Sequence, residues 1–128
     1  MSQPTQYDMA LMLESAGDFR QAFKIFKLLL CSDDHDRGDI LFHCGWCLEN
    51  DPSAENQCAL PYYREAANTT ANSVCRMNSL FRVGWLLMHE KNYHLAGMFF
   101  KEALAMHQCQ QVHDGLYHEA LYWYAVCL

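Results

Sequence analysis

GDFRQAFKIF (residues 17–26) and NYHLAGMFFKEA (residues 92–103) share one pattern, in which an aromatic residue is followed three places later by alanine and four places after that by phenylalanine. A degenerate copy between them has Ala59 and Tyr63 at the matching positions. LFHCGWCL (41–48) precedes the second copy and LFRVGWLL (80–87) precedes the third. Self-similarity with a period of tens of residues is typical of stacked repeats, and each unit here is predicted to be one helical hairpin.

Composition favours a single all-α domain over residues 1–128. Apolar residues make up 52% of the chain, and only six glycines and three prolines interrupt it. The formal charge is −6 and the basic residues are scattered, so we expect no nucleic-acid partner, because phosphate affinity depends on clustered lysine and arginine. The sequence has no stretch of 18 apolar residues, so we expect no membrane span. Its first residues do not have the pattern of a signal peptide. The seven cysteines are expected to be reduced and packed as small hydrophobes in a cytoplasmic protein.

Glycines, prolines and capping residues divide the chain into seven predicted helices. Asp18, Asn92 and Asp114 are candidate N-caps. Pro61 would break a helix interior, so the fourth helix is predicted to begin late, with this proline in its first turn. The predicted ranges are 5–16, 19–31, 39–50, 58 to about 67, 73–90, 93–108 and 115–128.

The last predicted helix is apolar almost all round, with only His118 and Glu119 strongly polar. A terminal helix of a repeat array should present a polar face to water. We therefore favour the interpretation that the chain is a fragment of a longer repeat protein, or that a second copy covers this helix. The alternative is a helix tucked under the array.

The helix pairs resemble the tetratricopeptide repeat family. The residues that carry the resemblance are small ones at close helix crossings and aromatic ones between them: Ala10, Gly45, Gly84 and Ala125 on first helices, Ala22, Ala59, Ala96, Ala66 and Ala103 on second helices, with Phe26, Tyr63 and Phe100. The spacings of 35, 39 and 41 between first-helix crossing positions (45 − 10, 84 − 45, 125 − 84) exceed the family's usual ~34. The resemblance implies a right-handed superhelical array of about three repeats plus a C-terminal helix.

In this family the first helices line a concave face that binds other proteins, and helical geometry then selects the residues. The positions three before and one after each small crossing residue lie on one helix face. This predicts a partner-binding groove formed by Tyr7, Leu11, Phe42, Trp46, Phe81, Arg82, Trp85 and Tyr122, continuing to Glu14, Glu49 and Met88. The alternative is that these aromatics are ordinary core. Against it, Met9, Leu13, Cys44, Leu48, Val83 and Leu87 are expected to supply the core.

The family's known peptide mode is a cationic clamp for a C-terminal carboxylate. The positions that should hold it here are occupied by Tyr7, Leu11, His43, Asn78 and Arg82, and only Arg82 suits that role. The predicted aromatic groove is instead similar to that of the three-repeat chaperones of bacterial type III secretion, which hold an apolar segment of a translocator. Their acidic first loop also has a counterpart in residues 33–36.

Enzyme and metal chemistry are not indicated by the sequence. Cys44 and Cys47 form a lone CxxC next to His43, whereas a structural zinc site needs four ligands. The histidines at 107, 113 and 118 do not form a metalloprotease motif. We therefore expect a cofactor-free, non-enzymatic scaffold that binds a peptide or helix of a protein partner. The runner-up is a self-assembly module that forms homo-oligomers through its last helix.

Overall fold

The chain folds into seven α-helices over the residues that the structure describes. The computed structural model describes residues 5–31, 36–70, 72–110 and 115–128. The helices are α1 (Gln6–Ser15), α2 (Phe19–Leu29), α3 (Arg37–Asn50), α4 (Leu60–Thr69), α5 (Ser73–His89), α6 (Tyr93–Gln110) and α7 (Gly115–Cys127). The predicted bounds agree with these within two residues, which confirms the all-α, seven-helix prediction.

Capping residues explain where α1 and α2 begin. The Thr5 hydroxyl accepts a hydrogen bond from the Asp8 backbone N–H, and the Asp8 carboxylate accepts one from the Thr5 backbone N–H, so two otherwise unpaired donors are satisfied. Asp18 caps α2 by accepting from the N–H of Gln21, as predicted. Between α1 and α2, Gly17 takes a positive φ of 87° that other residues rarely adopt. The predicted cap Asp114 lies outside the described residues, as do residues 33–35 of the acidic loop.

The late start predicted for the fourth helix is confirmed. A 3₁₀ turn at Asn56–Ala59 leads into α4, and Pro61 lies exposed in the first helical turn. The first-turn backbone N–H groups have no intrahelical partner, so a proline there removes no hydrogen bond.

Consecutive helices pack against each other as antiparallel neighbours. We call α1, α3, α5 and α7 the odd layer, and α2, α4 and α6 the even layer. Contacts also join successive members of the odd layer: the Tyr7 hydroxyl donates to Asp39 Oδ2 at 2.6 Å, and the rings of Trp85 and Trp123 lie 5.1 Å apart. The ion pair of Arg82 with Glu49 joins α3 to α5, so each helix of the odd layer contacts the next one.

Of the first-helix crossing positions identified in the sequence, Gly45 and Gly84 are close helix contacts and Ala10 is fully buried, whereas Ala125 on α7 is exposed and that prediction is wrong. A Cβ built on Gly45 would lie 2.9 Å from the ring of Tyr63, and one built on Gly84 would lie 2.9 Å from the ring of Phe100. Real Cβ atoms essentially never come this near another heavy atom, so glycine is what lets each first helix approach its partner. The repeated alanines and aromatics of the even layer, with Ala59 in the 3₁₀ turn before α4, are all fully buried: Ala22, Ala59, Ala96, Phe26, Tyr63 and Phe100.

Most of the predicted core is in place, with one correction. Cys44, Val83 and Leu87 are buried, whereas Met9 is 47% exposed. Met9 was predicted to be interior because it is apolar and precedes the crossing residue Ala10. The correction has a physical reason: within the described residues α1 packs chiefly against α2, so its other flank is left uncovered.

Candidate functional site

A cavity of about 290 Å³ opens on the odd layer, and each odd helix contributes to its lining. We call it the odd-layer groove. Its lining residues are Glu14 of α1, Phe42 and Trp46 of α3, Asn78, Phe81 and Arg82 of α5, and Glu119 of α7. Residues more than one hundred positions apart in the chain therefore meet at one site. It combines aromatic rings with carboxylates.

Arg82 lines the groove and contacts two indole rings. Its guanidinium carbon is 5.6 Å from the ring centroid of Trp46 and 5.7 Å from that of Trp85, which is the geometry of a cation–π contact. Its Nε donates to Glu49 Oε1 at 3.1 Å and its Nη2 donates to Glu49 Oε2. The hydroxyl of the buried Tyr63 donates to the same carboxylate at 2.9 Å. Trp46 and Trp85 are therefore held in place by a charged, hydrogen-bonded support.

The ion pair between Arg82 and Glu49 also decides what Arg82 can bind. The side chain of Arg82 is only 20% exposed, and that of Glu49 is 11% exposed. Burial lowers the pKa of Arg82, and the negative charge of Glu119 opposes that shift. Because a carboxylate of the chain itself already neutralises this guanidinium in a bidentate pair, Arg82 has little capacity left for a partner's C-terminal carboxylate.

A second polar network joins α1 to α3 beside the groove. Glu14 Oε2 lies 2.8 Å from Nδ1 of His43, and the other ring nitrogen of His43 lies 3.8 Å from Asp39 Oδ1. The His43 ring stacks on Phe26 with centroids 4.9 Å apart, and Tyr7 reaches Asp39 from α1. Burial first, and then the hydrogen bond to Asp39, raise the pKa of Tyr7. This network fixes the orientation of the Glu14 carboxylate at the groove.

Four of the eight predicted partner-binding residues line the groove and four do not. Phe42, Trp46, Phe81 and Arg82 line it, although Phe81 is only 2% exposed and packs mainly against Phe100. The other four are placed beside it or on its flanks. Tyr7 and Leu11 pack half-buried against the α1–α3 core, Trp85 stacks under Arg82 and against Trp123, and Tyr122 is 62% exposed on α7.

The groove is more polar than the aromatic pattern predicted. Met88, expected on the same face, is buried, whereas Glu14 and Glu49 are where the register placed them. Glu119 and Asp39 were missed as site residues. Their signals were present: Asp39 lies four residues before His43, and Glu119 lies one helical turn before Tyr122.

The lone CxxC is part of the core. Cys44 and Cys47 are fully buried, and burial raises the pKa of Cys44 to about 12. Burial, followed by the charge of Glu14, raises the pKa of Cys47 as well. Both thiols therefore stay protonated near neutral pH, although the thiolate is the form that attacks or binds metal.

A separate apolar surface covers the α6–α7 end of the chain. Leu121, Val126 and Leu128 of the C-terminal segment are 41%, 50% and 88% exposed. Beside it, a cavity of about 460 Å³ follows α6, lined by Leu95, Met98, Phe99, Lys101, Glu102 and Ala105. Large apolar side chains are therefore exposed along α7 and at the residue that follows it.

Comparison of the chain with family models, curated proteins and solved structures gave no significant match in any of the three. Across the described ranges, none of the helices is both long and apolar enough to cross a membrane. Within the same residues, no group of three or more histidine, cysteine, aspartate and glutamate side chains is arranged to hold a metal ion.

Proposed function

We propose that this chain is a helical-repeat scaffold of the tetratricopeptide kind, and that its odd-layer groove binds a peptide or helix of another protein. The single observation that carries the proposal is the convergence of all four odd helices on one aromatic groove. A superhelical array would bring its first helices together on a concave face in this way. The proposed partner is a polypeptide, and the formal charge of −6 disfavours nucleic acid and anionic membranes.

The groove has the features of an anchoring pocket. A volume of about 290 Å³ suits the few side chains that anchor a bound segment, and the remainder of that segment would lie along the odd layer. Trp46 is partly exposed there, and its ring is stacked against Phe42 with centroids 6.4 Å apart. Tryptophan and arginine are the residue types most enriched at the energetic centres of protein interfaces. Pre-ordering by Glu49 and Arg82 would also reduce the entropy lost on binding.

The direct test uses random-sequence peptides displayed on phage and selected on immobilised protein. The Kd of each selected peptide is then measured for the wild type and for the double variant Trp46→Ala plus Trp85→Ala. Loss of Trp46, which lines the groove, and of Trp85, which supports Arg82, should weaken binding by at least roughly thirtyfold, since one anchoring ring is worth ~2 kcal/mol in such sites. Tyr93→Ala is the matched control, because Tyr93 is 45% exposed on α6 and does not line the groove.

Selected peptides that bind the double variant as tightly as the wild type would defeat the proposal. Circular dichroism of the variant shows whether its helices are intact. A chaperone of the type III secretion kind is the alternative within the same class, and it would use this groove for an uncharged apolar segment.

The second candidate function is self-assembly through α7, which the exposed Leu121, Val126 and Leu128 favour. Light scattering over a concentration series should then show a dimer that Val126→Asp disrupts, because the substitution places a charge in the apolar contact. Leu28→Asp is the control, because Leu28 is an exposed apolar residue on α2, away from α7 in the sequence. A monomer at all concentrations would exclude this candidate.

A further inference from the structure

We infer that the groove selects a cationic segment, one in which lysine or arginine lies beside the apolar anchors. This inference rests on the proposed function and adds the chemistry of the partner. It runs against the family's cationic clamp, which would select a partner's carboxylate.

The first argument is the balance of charge at the groove. Three carboxylates, those of Glu14, Glu49 and Glu119, lie in or against it. Among the described lining residues the one permanent cation is Arg82, and Glu49 already neutralises it. Glu119 on α7 therefore adds negative charge beside the aromatic rings, as does Glu14 on α1, whose carboxylate also contacts Nδ1 of His43 at 2.8 Å.

The second argument is the separation of charge between the two layers. The odd helices carry five acidic residues, Asp8, Glu14, Asp39, Glu49 and Glu119, against three basic ones, Arg37, Arg76 and Arg82. The even helices carry two acidic residues, Glu65 and Glu102, against five basic ones, Arg20, Lys24, Lys27, Arg64 and Lys101. The net charge is thus −2 on the odd helices (3 − 5) and +3 on the even helices (5 − 2). Among the helix residues alone, the charges therefore favour a cationic segment at the odd helices over the even helices.

The third argument is that the basic residues of the odd layer are already engaged. Arg37 donates to the carbonyl of Leu30 at 3.1 Å and lies 3.5 Å from the Glu65 carboxylate of α4. Arg76 donates to the carbonyls of Ala67 and Thr70. None of these contacts neutralises a carboxylate of the groove. Glu119, by contrast, is exposed and acts on Arg82 only through its charge, with no hydrogen bond within the described part of the chain, so its carboxylate oxygens are open to a partner.

The aromatic lining adds to the preference for a cation. Arg82 shows that a guanidinium fits against Trp46 at 5.6 Å. Aromatic rings attract cations in general, and the nearby carboxylates would strengthen that attraction where water is excluded.

The experiment uses the same peptide selection and reads the charge of the selected sequences. Peptides enriched on the wild type should carry a net positive charge together with apolar residues. For the tightest of them, Glu119→Gln should weaken the Kd by roughly three- to fivefold, as expected for a solvated charge pair, and high salt should remove most of that difference. Glu102→Gln on α6 makes the same charge change away from the groove and should leave the Kd unaltered.

The outcomes separate this inference from the proposed function. Uncharged or acidic peptides whose binding needs Trp46 and Trp85 would overturn the cationic preference and leave the peptide-binding function in place. Equal effects of Glu119→Gln and Glu102→Gln would also overturn it. A selection without peptides that depend on the two tryptophans would defeat the proposed function, and this inference with it.

Discussion

Replacing Gly84 with alanine tests whether close helix crossings hold the layers together. The new Cβ would lie 2.9 Å from Phe100 Cε1, whereas carbon atoms pack best at about 3.5–4.0 Å. Phe100 is fully buried, so its ring cannot escape into solvent and the helices α5 and α6 must separate. Overpacking of this kind costs ~1–3 kcal/mol. Alanine also returns ~1 kcal/mol because it is the better helix former.

The matched control is Gly97→Ala on α6. It gains the same helix propensity, so a comparison of the two variants leaves only the effect of overpacking. Its Cβ would meet only the Cβ of Cys127, at 3.3 Å, so the strain is smaller while the gain in helix propensity is the same. We therefore expect Gly84→Ala to be ~1–3 kcal/mol less stable than Gly97→Ala. For a chain of this length that corresponds to a gap in Tm of about 4–12 °C.

The assay is urea and thermal unfolding followed by far-UV circular dichroism. A further variant tests whether the contact with Phe100 causes the loss of stability. Phe100→Leu makes room for the new methyl group, so Gly84→Ala should cost less stability in that background than in the wild type. The double-mutant cycle should then show a favourable coupling energy between the two substitutions. Gly84→Ala as stable as Gly97→Ala would refute the reasoning.

Three further predictions concern the carboxylate that supports the groove and the cysteines. Glu49→Gln removes the carboxylate that binds Arg82 and the Tyr63 hydroxyl, and should lower the free energy of unfolding by ~1–3 kcal/mol, because a mostly buried guanidinium loses its counter-charge. The free energy is measured by urea unfolding, with Glu102→Gln as the control. An equal loss of stability in the two variants would contradict the expectation. Burial raises the pKa of Cys44 to about 12 from 9.0, so the stability it contributes is present in full below about pH 9 and is lost as pH rises toward 12. Near neutral pH, thiol reagents should modify the exposed Cys31 well before Cys44 in the folded protein, and equal labelling rates by mass spectrometry would count against this.

Much of the fold was predictable because its determinants are local. Caps and breakers such as Asp18, Gly17 and Pro61 act within a few residues of their own positions, so the sequence predicts helix ends closely. The crossings at Gly45 and Gly84 were predictable because a small residue that recurs between large ones leaves room for a second helix to approach.

The site was only partly predictable because its contacts join distant segments. Arg82 and Glu49 are 33 residues apart, and no helical spacing reveals that they meet. Phe42 and Phe81 occupy the same register, yet Phe81 is 2% exposed while Phe42 remains partly open, because their neighbours on the next helices differ. Fine differences in exposure depend on packing that a one-dimensional pattern does not contain.

The central claim is that the odd layer receives a polypeptide, and NMR chemical-shift mapping with the tightest selected peptide tests it most directly. We predict that backbone amide shifts will concentrate in α1, α3, α5 and α7 around Trp46, Arg82 and Glu119. Shifts confined to the outward faces of α2, α4 and α6, with the groove residues unchanged, would contradict the account.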